Sequence, residues 1–213
     1  MEAARILELG DLIDPNISKL NNIQLTRYIQ TVERLDDTVD ADAFARLSQL
    51  DNLSQLTNAQ VEDVLRIARS QDVELGMYRS VKEILPSANY PVVMQNLTGD
   101  LSILSKTDQY RVLKLAEKYP IDVNEIRPLL GRITGDLSSL SRGEYDQIVK
   151  IASRDLDISV SRVKQVSQYV PDNLGTLRGS QLDAYLEAVV ISKKSLDVEA
   201  FAKFRNYQNI GRL

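Results

Sequence analysis

Hydrophobic and polar positions follow the same order in three stretches of the chain. Each stretch opens with two leucines three residues apart, continues with a serine or threonine, and then shows a helical pattern that ends at an alanine. The stretches align without a gap over residues 53–68, 101–116 and 137–152. Internal similarity at a spacing of a few tens of residues is typical of stacked-repeat architectures. The pattern therefore indicates how the protein is built before it indicates any chemistry.

A helix start signal follows the two leucines in each copy. The hydroxyl side chain and a polar residue three positions later fit a capping box, in which each side chain bonds the backbone amide of the other residue. Apolar residues then recur at positions i, i+3, i+4 and i+7, which lie on one face of an α-helix. The pairs that fit the cap are Thr57/Gln60, Ser105/Asp108 and Ser141/Glu144. The residues expected in the core are Val64, Leu65, Ala68, Val112, Leu113, Ala116, Ile148, Val149 and Ala152.

A second start signal follows each of these helices, in the form of an apolar residue, an acid and another apolar run. The acid suits an N-cap, and its charge suits the positive end of the helix dipole. The triplets are Val39-Asp40-Ala41, Val73-Glu74-Leu75, Ile121-Asp122-Val123, Leu156-Asp157-Ile158 and Leu196-Asp197-Val198. The repeated unit is therefore a helical hairpin, and neighbouring hairpins must stack to bury both apolar stripes.

These signals predict an all-α protein of about ten to eleven helices in stacked helical hairpins. The stack is either an irregular helical-repeat array or a compact multi-helix bundle. Proline-containing breaks divide the chain into N-terminal hairpins in residues 1–86, a linker in 87–100 and three C-terminal hairpins in 101–213. The two groups of hairpins can also be read as one continuous array.

Composition agrees with a helical globular protein and limits its chemistry. The 213 residues are 43% hydrophobic with 9 glycines and 6 prolines, and they include no cysteine, histidine or tryptophan. The usual catalytic triads, thiolate metal sites and disulfides are therefore excluded. No apolar run approaches the roughly 20 residues that cross a bilayer, and the N-terminus does not resemble a signal peptide. We expect a protein that is cytoplasmic or assembled inside a host cell, without a membrane partner.

No motif in the chain indicates catalysis or a cofactor. Neither common phosphate-binding glycine loop occurs. Ser161 and Lys164 have the spacing of a serine–lysine pair, but the further motifs of that enzyme class are missing. Four aspartates between residues 36 and 42 lack the glycine and distal glutamate of a calcium loop. The sequence therefore predicts no enzymatic activity, no cofactor and no metal site.

Three basic residues occupy equivalent positions in the three copies, two residues before the alanine: Arg66, Lys114 and Lys150. At about 100° per residue, this position lies on the side of the helix away from the apolar stripe. If the hairpins stack regularly, these side chains form a basic ridge that can contact phosphates or an acidic partner. The alternative is three solvated positions on an exposed face.

The C-terminal segment combines basic and aromatic residues. Its bases, which can bind nucleic acid when they alternate with aromatics, are Lys193, Lys194, Lys203 and Arg205. Its aromatic residues, which we expect at an interface with a partner or a second copy, are Phe201, Phe204 and Tyr207. The segment is thus a candidate for nucleic-acid binding or for self-association.

One short stretch of the repeat resembles a known family. Leu56-Thr57-Asn58-Ala59-Gln60-Val61, followed by Ile67-Ala68, resembles the opening of the DNA-reading TAL-effector repeats over about a dozen residues. The resemblance implies helical hairpins that follow DNA. This chain lacks the paired glycines and the constant period of that family. The hairpin layout is also similar in general terms to HEAT-type repeats.

The sequence favours a non-enzymatic structural or adaptor protein that presents its helices to protein partners, as a component of a larger assembly such as a virus particle would. The alternative is a nucleic-acid binder that uses the basic ridge and the C-terminal bases. Charge is uneven, since residues 1–100 hold 16 acids and 9 bases whereas residues 101–213 hold 14 acids and 17 bases. Such asymmetry bears on association with partners rather than on fold.

Overall fold

The structure is a computed structural model, and it describes residues 9–203 of the chain. This region is mostly helical, with 63% of the described residues in helices, which confirms the all-α prediction. The α-helices of this region are α1 (Asn22–Leu35), α2 (Ala41–Ala45), α3 (Asn58–Ala68), α4 (Leu75–Ile84), α5 (Tyr90–Asn96), α6 (Lys106–Ala116), α7 (Val123–Leu130), α8 (Arg142–Ala152), α9 (Val160–Val166), α10 (Gly179–Ser192) and α11 (Val198–Ala202).

Short parallel strand pairs accompany the helices. Each strand has two residues, and the pairs are β1 (Leu47–Ser48) with β2 (Val73–Glu74), β3 (Leu97–Thr98) with β4 (Ile121–Asp122), and β5 (Ile133–Thr134) with β6 (Ile158–Ser159). An isolated parallel bridge between Ile13 and Val39 repeats the arrangement nearer the start. The sequence does not predict these strands, because two residues are too few to show the alternation that marks a strand.

The same order of local elements surrounds the last two strand pairs. β3 is followed by a 3₁₀ turn at Leu101–Ile103, then α6, β4 and α7, and β5 is followed by a 3₁₀ turn at Leu137–Ser139, then α8, β6 and α9. The second leucine of each repeated pair closes the turn, since the Leu140 N–H donates to the Leu137 carbonyl over 3.2 Å. Both leucines are buried. The leucine pair therefore anchors the turn before the helix.

The predicted caps are present at α3, α6 and α8, which are the first helices of the three repeated stretches. Thr57 and Ser141 form complete capping boxes with the residues three positions later, and Ser105 accepts a hydrogen bond from the backbone of Asp108. A Ser or Thr oxygen in this position satisfies an amide that the helix itself leaves without a partner. The start of these three helices is therefore confirmed to the residue.

The start of α9 differs from the sequence prediction. Leu156-Asp157-Ile158 predicts a cap at the aspartate, whereas the helix begins at Val160 with Ser159 as its N-cap, which accepts from the Arg162 N–H over 3.2 Å. Ile158 is instead the strand residue that pairs with Ile133. The apolar–polar–apolar pattern occurs twice in overlapping positions, and the strand pairing selects the second.

Seven of the nine predicted core residues are buried, and Leu65 and Val149 are half-buried. The residues directly before the alanines, Ile67, Leu115 and Ile151, are buried in addition. Each first helix therefore buries residues on two sides, because the strand that follows it covers the side that a single amphipathic stripe would leave exposed.

A side chain before each first strand caps the end of the following helix. Arg46, Asn96 and Arg132 donate to the carbonyls of Ala68, Ala116 and Ala152, respectively, with the Asn96 bond at 2.9 Å. The last carbonyls of a helix have no partner within it, and donors there also complement the dipole. The alanine that ends each copy is thus the residue at which strand and helix are joined.

The chain divides into two compact units, Met1–Pro91 and Val92–Leu213. The boundary falls inside the predicted linker 87–100, which contains α5 and β3. In the first unit the rings of Tyr28 and Phe44 pack edge to face with centroids 5.5 Å apart. Between residues 9 and 203, no helix is long and apolar enough to span a membrane.

Candidate functional site

Two open clefts lie between helices of the second unit. The α7–α8 cleft has a volume of about 330 Å³, and the α9–α10 cleft has a volume of about 460 Å³. The residues that determine their charge are Asp122, Glu125, Asp146, Arg142 and Lys150 in the first cleft, and Arg162, Asp183 and Glu187 in the second. Counting these side chains, each cleft carries a net charge of −1.

The two clefts are built from equivalent positions. Glu125 lies four residues after the bridged residue of β4, and Arg162 lies four residues after the bridged residue of β6. Asp146 and Asp183 each follow 21 residues later. The strand pairs fix where each second helix begins, so the same two positions line both clefts.

The α9–α10 cleft is crossed by an ion pair of the chain itself. The Arg162 guanidinium donates to the Asp183 carboxylate over 2.5 Å and to the Asp183 backbone carbonyl over 3.1 Å. The two side chains are 29% and 47% exposed, so the pair is only partly shielded from solvent. A guanidinium bonded to a carboxylate forms one of the stronger classes of protein hydrogen bond. Arg162 therefore links α9 to α10.

The α7–α8 cleft has no such crossing. Glu125 is exposed and makes no hydrogen bond or ion pair with any residue that the structure describes. Asp146 pairs with Arg142 of its own helix over 3.2 Å. Burial raises the pKa of the Tyr145 hydroxyl to about 12, with Arg142 opposing the shift and Asp146 and Glu125 adding to it. This cleft therefore brings two carboxylates near an aromatic floor and leaves one of them without a partner.

Arg142 lies over two tyrosine rings at the edge of the same cleft. Its guanidinium carbon is 5.9 Å from the Tyr119 centroid and 5.6 Å from the Tyr145 centroid. The rings stack with their centroids 6.4 Å apart, and Arg142 also donates to the Pro120 carbonyl over 3.3 Å. Cations over tyrosine faces are attracted by the ring quadrupole. The cleft thus already accommodates one guanidinium.

A third cleft of about 360 Å³ lies on the other side of α8. Gln147 in its wall donates to the carbonyls of Ser167 and Val170 over 2.9 and 3.2 Å, which ties α8 to the end of α9. The Gln147 Oε1 is buried and has no hydrogen-bond partner within the described chain. Asp172 forms the opposite wall and pairs with Lys150 over 2.7 Å.

Each base of the predicted ridge is held by an acid. Arg66 pairs with Asp63 in the first unit, and Lys114 lies 3.4 Å from Glu117 in the second. Lys150 pairs with Asp172, and this hydrogen bond lowers the pKa of the aspartate. The three bases are thus locally neutralised.

The described C-terminal candidates lie at the ends of α10 and α11 and, for Phe201, within α11. Lys193, Lys194 and Lys203 are exposed, and Lys193 is the C-cap of α10 with a φ of 50°. Phe201 is 6% exposed, and its ring packs edge to face with Tyr185 at 5.2 Å. It therefore belongs to the core that joins the last two helices. The remaining candidates, Phe204, Arg205 and Tyr207, lie outside the described residues.

A group of titratable side chains joins α3 to α4 in the first unit. The Tyr78 hydroxyl donates to Asp63 over 2.8 Å, and the Lys82 Nζ is 3.7 Å from the same carboxylate. Burial and the bond to Asp63 raise the pKa of Tyr78, so the hydroxyl is protonated at neutral pH. Burial raises the pKa of Asp63, but Tyr78, Arg66 and Lys82 outweigh it and lower the pKa overall. The group has the chemistry of a structural network, since neither member has a pKa near neutrality.

Residues 9–203 contain no group of three or more acidic side chains placed to hold a metal ion. Comparisons with protein-family models, with curated proteins and with solved structures found no match for this chain. The functional interpretation therefore depends on the chemistry of the clefts and of the exposed helix faces.

Sequence reasoning alone does not single out Glu125, Asp146, Arg162 and Asp183. The signal that identifies them is their shared separation of 21 residues, which becomes visible once the strand pairs align the second helices. Without that register, any pair among the 30 acids has an equal claim.

Proposed function

We propose that this chain is a non-enzymatic adaptor or structural protein whose helical hairpins stack and present polar clefts to protein partners, as a component of a larger assembly. The observation that carries the proposal is the pair of open, net-negative clefts between successive helices of the second unit. Clefts of this size with mixed polar and apolar walls suit side chains of a partner protein.

Contacts between consecutive hairpins of the second unit support the stacking. Lys118 and Tyr119, just after α6, donate to the carbonyls of Ser138 and Leu140 in the turn before α8. Arg154, just after α8, donates to carbonyls in the turn before α10, the closer bond measuring 2.7 Å to Gly175. The end of one first helix thus holds the start of the next, as expected for units that contact only their neighbours.

The alternative is a nucleic-acid binder that uses the basic ridge and the C-terminal lysines. Its main support is the exposure of Lys193, Lys194 and Lys203 near the end of the described chain. Pairing of the ridge bases with acids weighs against it, because a phosphate must compete with a carboxylate that already holds the cation.

Binding to mixed-sequence DNA and RNA at low and moderate salt tests the two functions. A phosphate-binding protein loses affinity with a log–log slope of about −0.9 per duplex phosphate contacted. We expect weak binding that is unchanged when Arg66, Lys114 and Lys150 are all replaced by glutamate. Tight, salt-sensitive binding that this triple variant loses would establish the nucleic-acid function instead.

Self-association through the C-terminal helices stays a prediction. Sedimentation of the full chain across a concentration series checks it, with reversible dimer formation as the expected result. A chain that is monomeric at high micromolar concentration would limit the adaptor function to partners of other sequence.

A further inference from the structure

We propose that the α7–α8 cleft binds an arginine side chain presented by a basic segment of a partner protein. The inference rests on the proposed adaptor function and specifies the chemistry of the partner. It uses two carboxylates, Glu125 and Asp146, together with the apolar floor formed by Ile126, Tyr145 and Val149.

The equivalent cleft shows which group these positions accept. Between α9 and α10, the arginine at position 162 reaches the carboxylate and the backbone carbonyl of Asp183 and links the two helices. In the α7–α8 cleft, Glu125 replaces that arginine while Asp146 keeps the acid. Glu125 has no partner within the described chain, so a cation placed beside it in the cleft gains a favourable interaction with its charge. A partner's guanidinium would therefore supply the group that Arg162 supplies in the neighbouring cleft.

The cleft favours arginine among the cationic side chains. A guanidinium is planar and presents several donors, so one group can bond two carboxylates at once. Its methylene stem can lie on the half-buried Val149, as long basic side chains commonly do on apolar surfaces. Arg142 demonstrates the fit, because its guanidinium already lies 5.6 Å from the Tyr145 centroid at the edge of this cleft.

The charge balance of the cleft also favours a cation over a phosphate. Arg142 is paired with Asp146, and Lys150 is paired with Asp172, so neither base offers an uncompensated charge. Glu125 has no partner within the described chain, and Asp122 accepts only a backbone amide there. A basic segment is therefore complementary to the cleft, whereas a phosphate is repelled by it.

Fluorescence anisotropy with a short labelled peptide of alternating arginine and serine tests the inference on the full chain at low ionic strength. A peptide with glutamine in place of every arginine is the negative control. Removing one charge-assisted contact is expected to weaken binding about tenfold, so Glu125→Gln should show a loss of that size. Glu187→Gln removes the same charge from the cleft that Arg162 occupies, and we expect it to change the affinity less than about twofold.

A second variant reproduces the arginine of the α9–α10 cleft in the α7–α8 cleft. Glu125→Arg places a guanidinium where Arg162 lies in the equivalent position, so binding of the arginine peptide should be lost while the helical circular dichroism and the melting temperature are kept. Retention of peptide binding in this variant would overturn the inference, because the site would then lie elsewhere.

The remaining outcomes separate the inference from the function on which it rests. Peptide binding that Glu125→Gln and Glu187→Gln weaken equally would overturn the arginine site and leave the adaptor function intact. Equal affinity for a matched lysine peptide would overturn the preference for a guanidinium. Absence of peptide binding together with tight, salt-sensitive DNA binding would overturn the inference and the adaptor function together.

Discussion

The α7–α8 and α9–α10 clefts share a frame and differ in the charged side chains that line them. In both, a strand pair sets the start of the second helix, and an aspartate of the next first helix forms the opposite wall. Arg162 crosses one cleft by pairing with Asp183, whereas Glu125 makes no such crossing in the other. The difference teaches that the buried and capping positions determine the architecture, while the exposed positions determine the charges that a cleft presents to a partner.

A second repeated position supports the same conclusion. Five residues before the alanine, Asp63 accepts from Tyr78, whereas Arg111 donates to the Leu130 carbonyl over 3.3 Å and Gln147 donates to the Ser167 carbonyl. All three side chains tie the helix that carries them to the next helix or to the end of that helix. The contact is repeated although an acid, a base and an amide make it.

The largest expected loss of stability comes from a substitution in the buried core that supports the α7–α8 cleft. Ile148 of α8 is fully buried, so Ile148→Ala leaves a cavity and should lower the free energy of unfolding by about 3 kcal/mol. Val149→Ala, at the half-buried neighbour that lines the cleft, should cost less than about 1 kcal/mol. Urea unfolding measures both values. Equal losses in the two variants would contradict the assignment of the core face.

At alkaline pH, the free energy of unfolding should depend on the α7–α8 cleft and not on the α9–α10 cleft. Tyr145 lines the α7–α8 cleft, whereas Leu182 occupies the equivalent position in α10. The pKa of Tyr145 is raised to about 12 by burial, so the folded state retains its proton more strongly than the unfolded state. Its contribution is therefore complete below about pH 10 and is lost as the pH rises towards 12, up to about 2 kcal/mol.

Tyr145→Phe is the matched control for this pH dependence. The fall in unfolding free energy between pH 10 and 12 should be shallower in the variant, with a remainder from the other tyrosines whose pKa burial raises, Tyr28, Tyr78, Tyr90 and Tyr185. Superimposable pH profiles for the variant and the parent chain would show that Tyr145 is accessible to solvent.

Removing the ion pair that crosses the α9–α10 cleft should have a smaller effect on stability. Arg162→Met removes the bonds to the Asp183 carboxylate and carbonyl, and because both side chains are partly exposed we expect a loss of about 1 kcal/mol. The control is Arg127→Met, at an exposed position of α7 that makes no hydrogen bond or ion pair to the rest of the described chain. Thermal unfolding that falls equally in both would show that the Arg162 pair contributes nothing.

The smallest effect concerns the helix caps. Ser141→Ala removes the capping box of α8 and should lower stability by about 0.5–1 kcal/mol. The equivalent residue of α10, Arg178, makes no side-chain capping bond, so Arg178→Ala should be nearly neutral. A neutral Ser141→Ala variant would mean that packing alone holds the start of α8.

The sequence predicts the first helices well because their signals are local. The caps at Thr57, Ser105 and Ser141 and the burial of Val64, Val112 and Ile148 follow from spacing within one turn or two. The start of α9 is mispredicted, since two overlapping triplets fit the cap pattern and only the pairing of Ile158 with Ile133 separates them.

The clefts depend on contacts that local patterns do not contain. Asp146 and Glu125 line the same cleft because two-residue strand pairs align α7 with α8. Such short strands leave no alternating pattern in the sequence. The buried location of Phe201 is similar, because an aromatic residue near a chain end indicates an interface until its packing on Tyr185 is known.

Lys150 offers the most direct test of the central claim, that the clefts receive basic protein segments rather than phosphates. It belongs to the predicted basic ridge and also lines the α7–α8 cleft, so the two functions predict opposite effects of Lys150→Gln. The measurement is the affinity of this variant for the arginine peptide and for mixed-sequence DNA. We predict peptide binding that is about two- to threefold tighter than for the parent chain, because a like charge has been removed, and DNA binding that stays weak. Tight DNA binding by the parent chain that Lys150→Gln weakens, with no gain in peptide binding, would contradict the account.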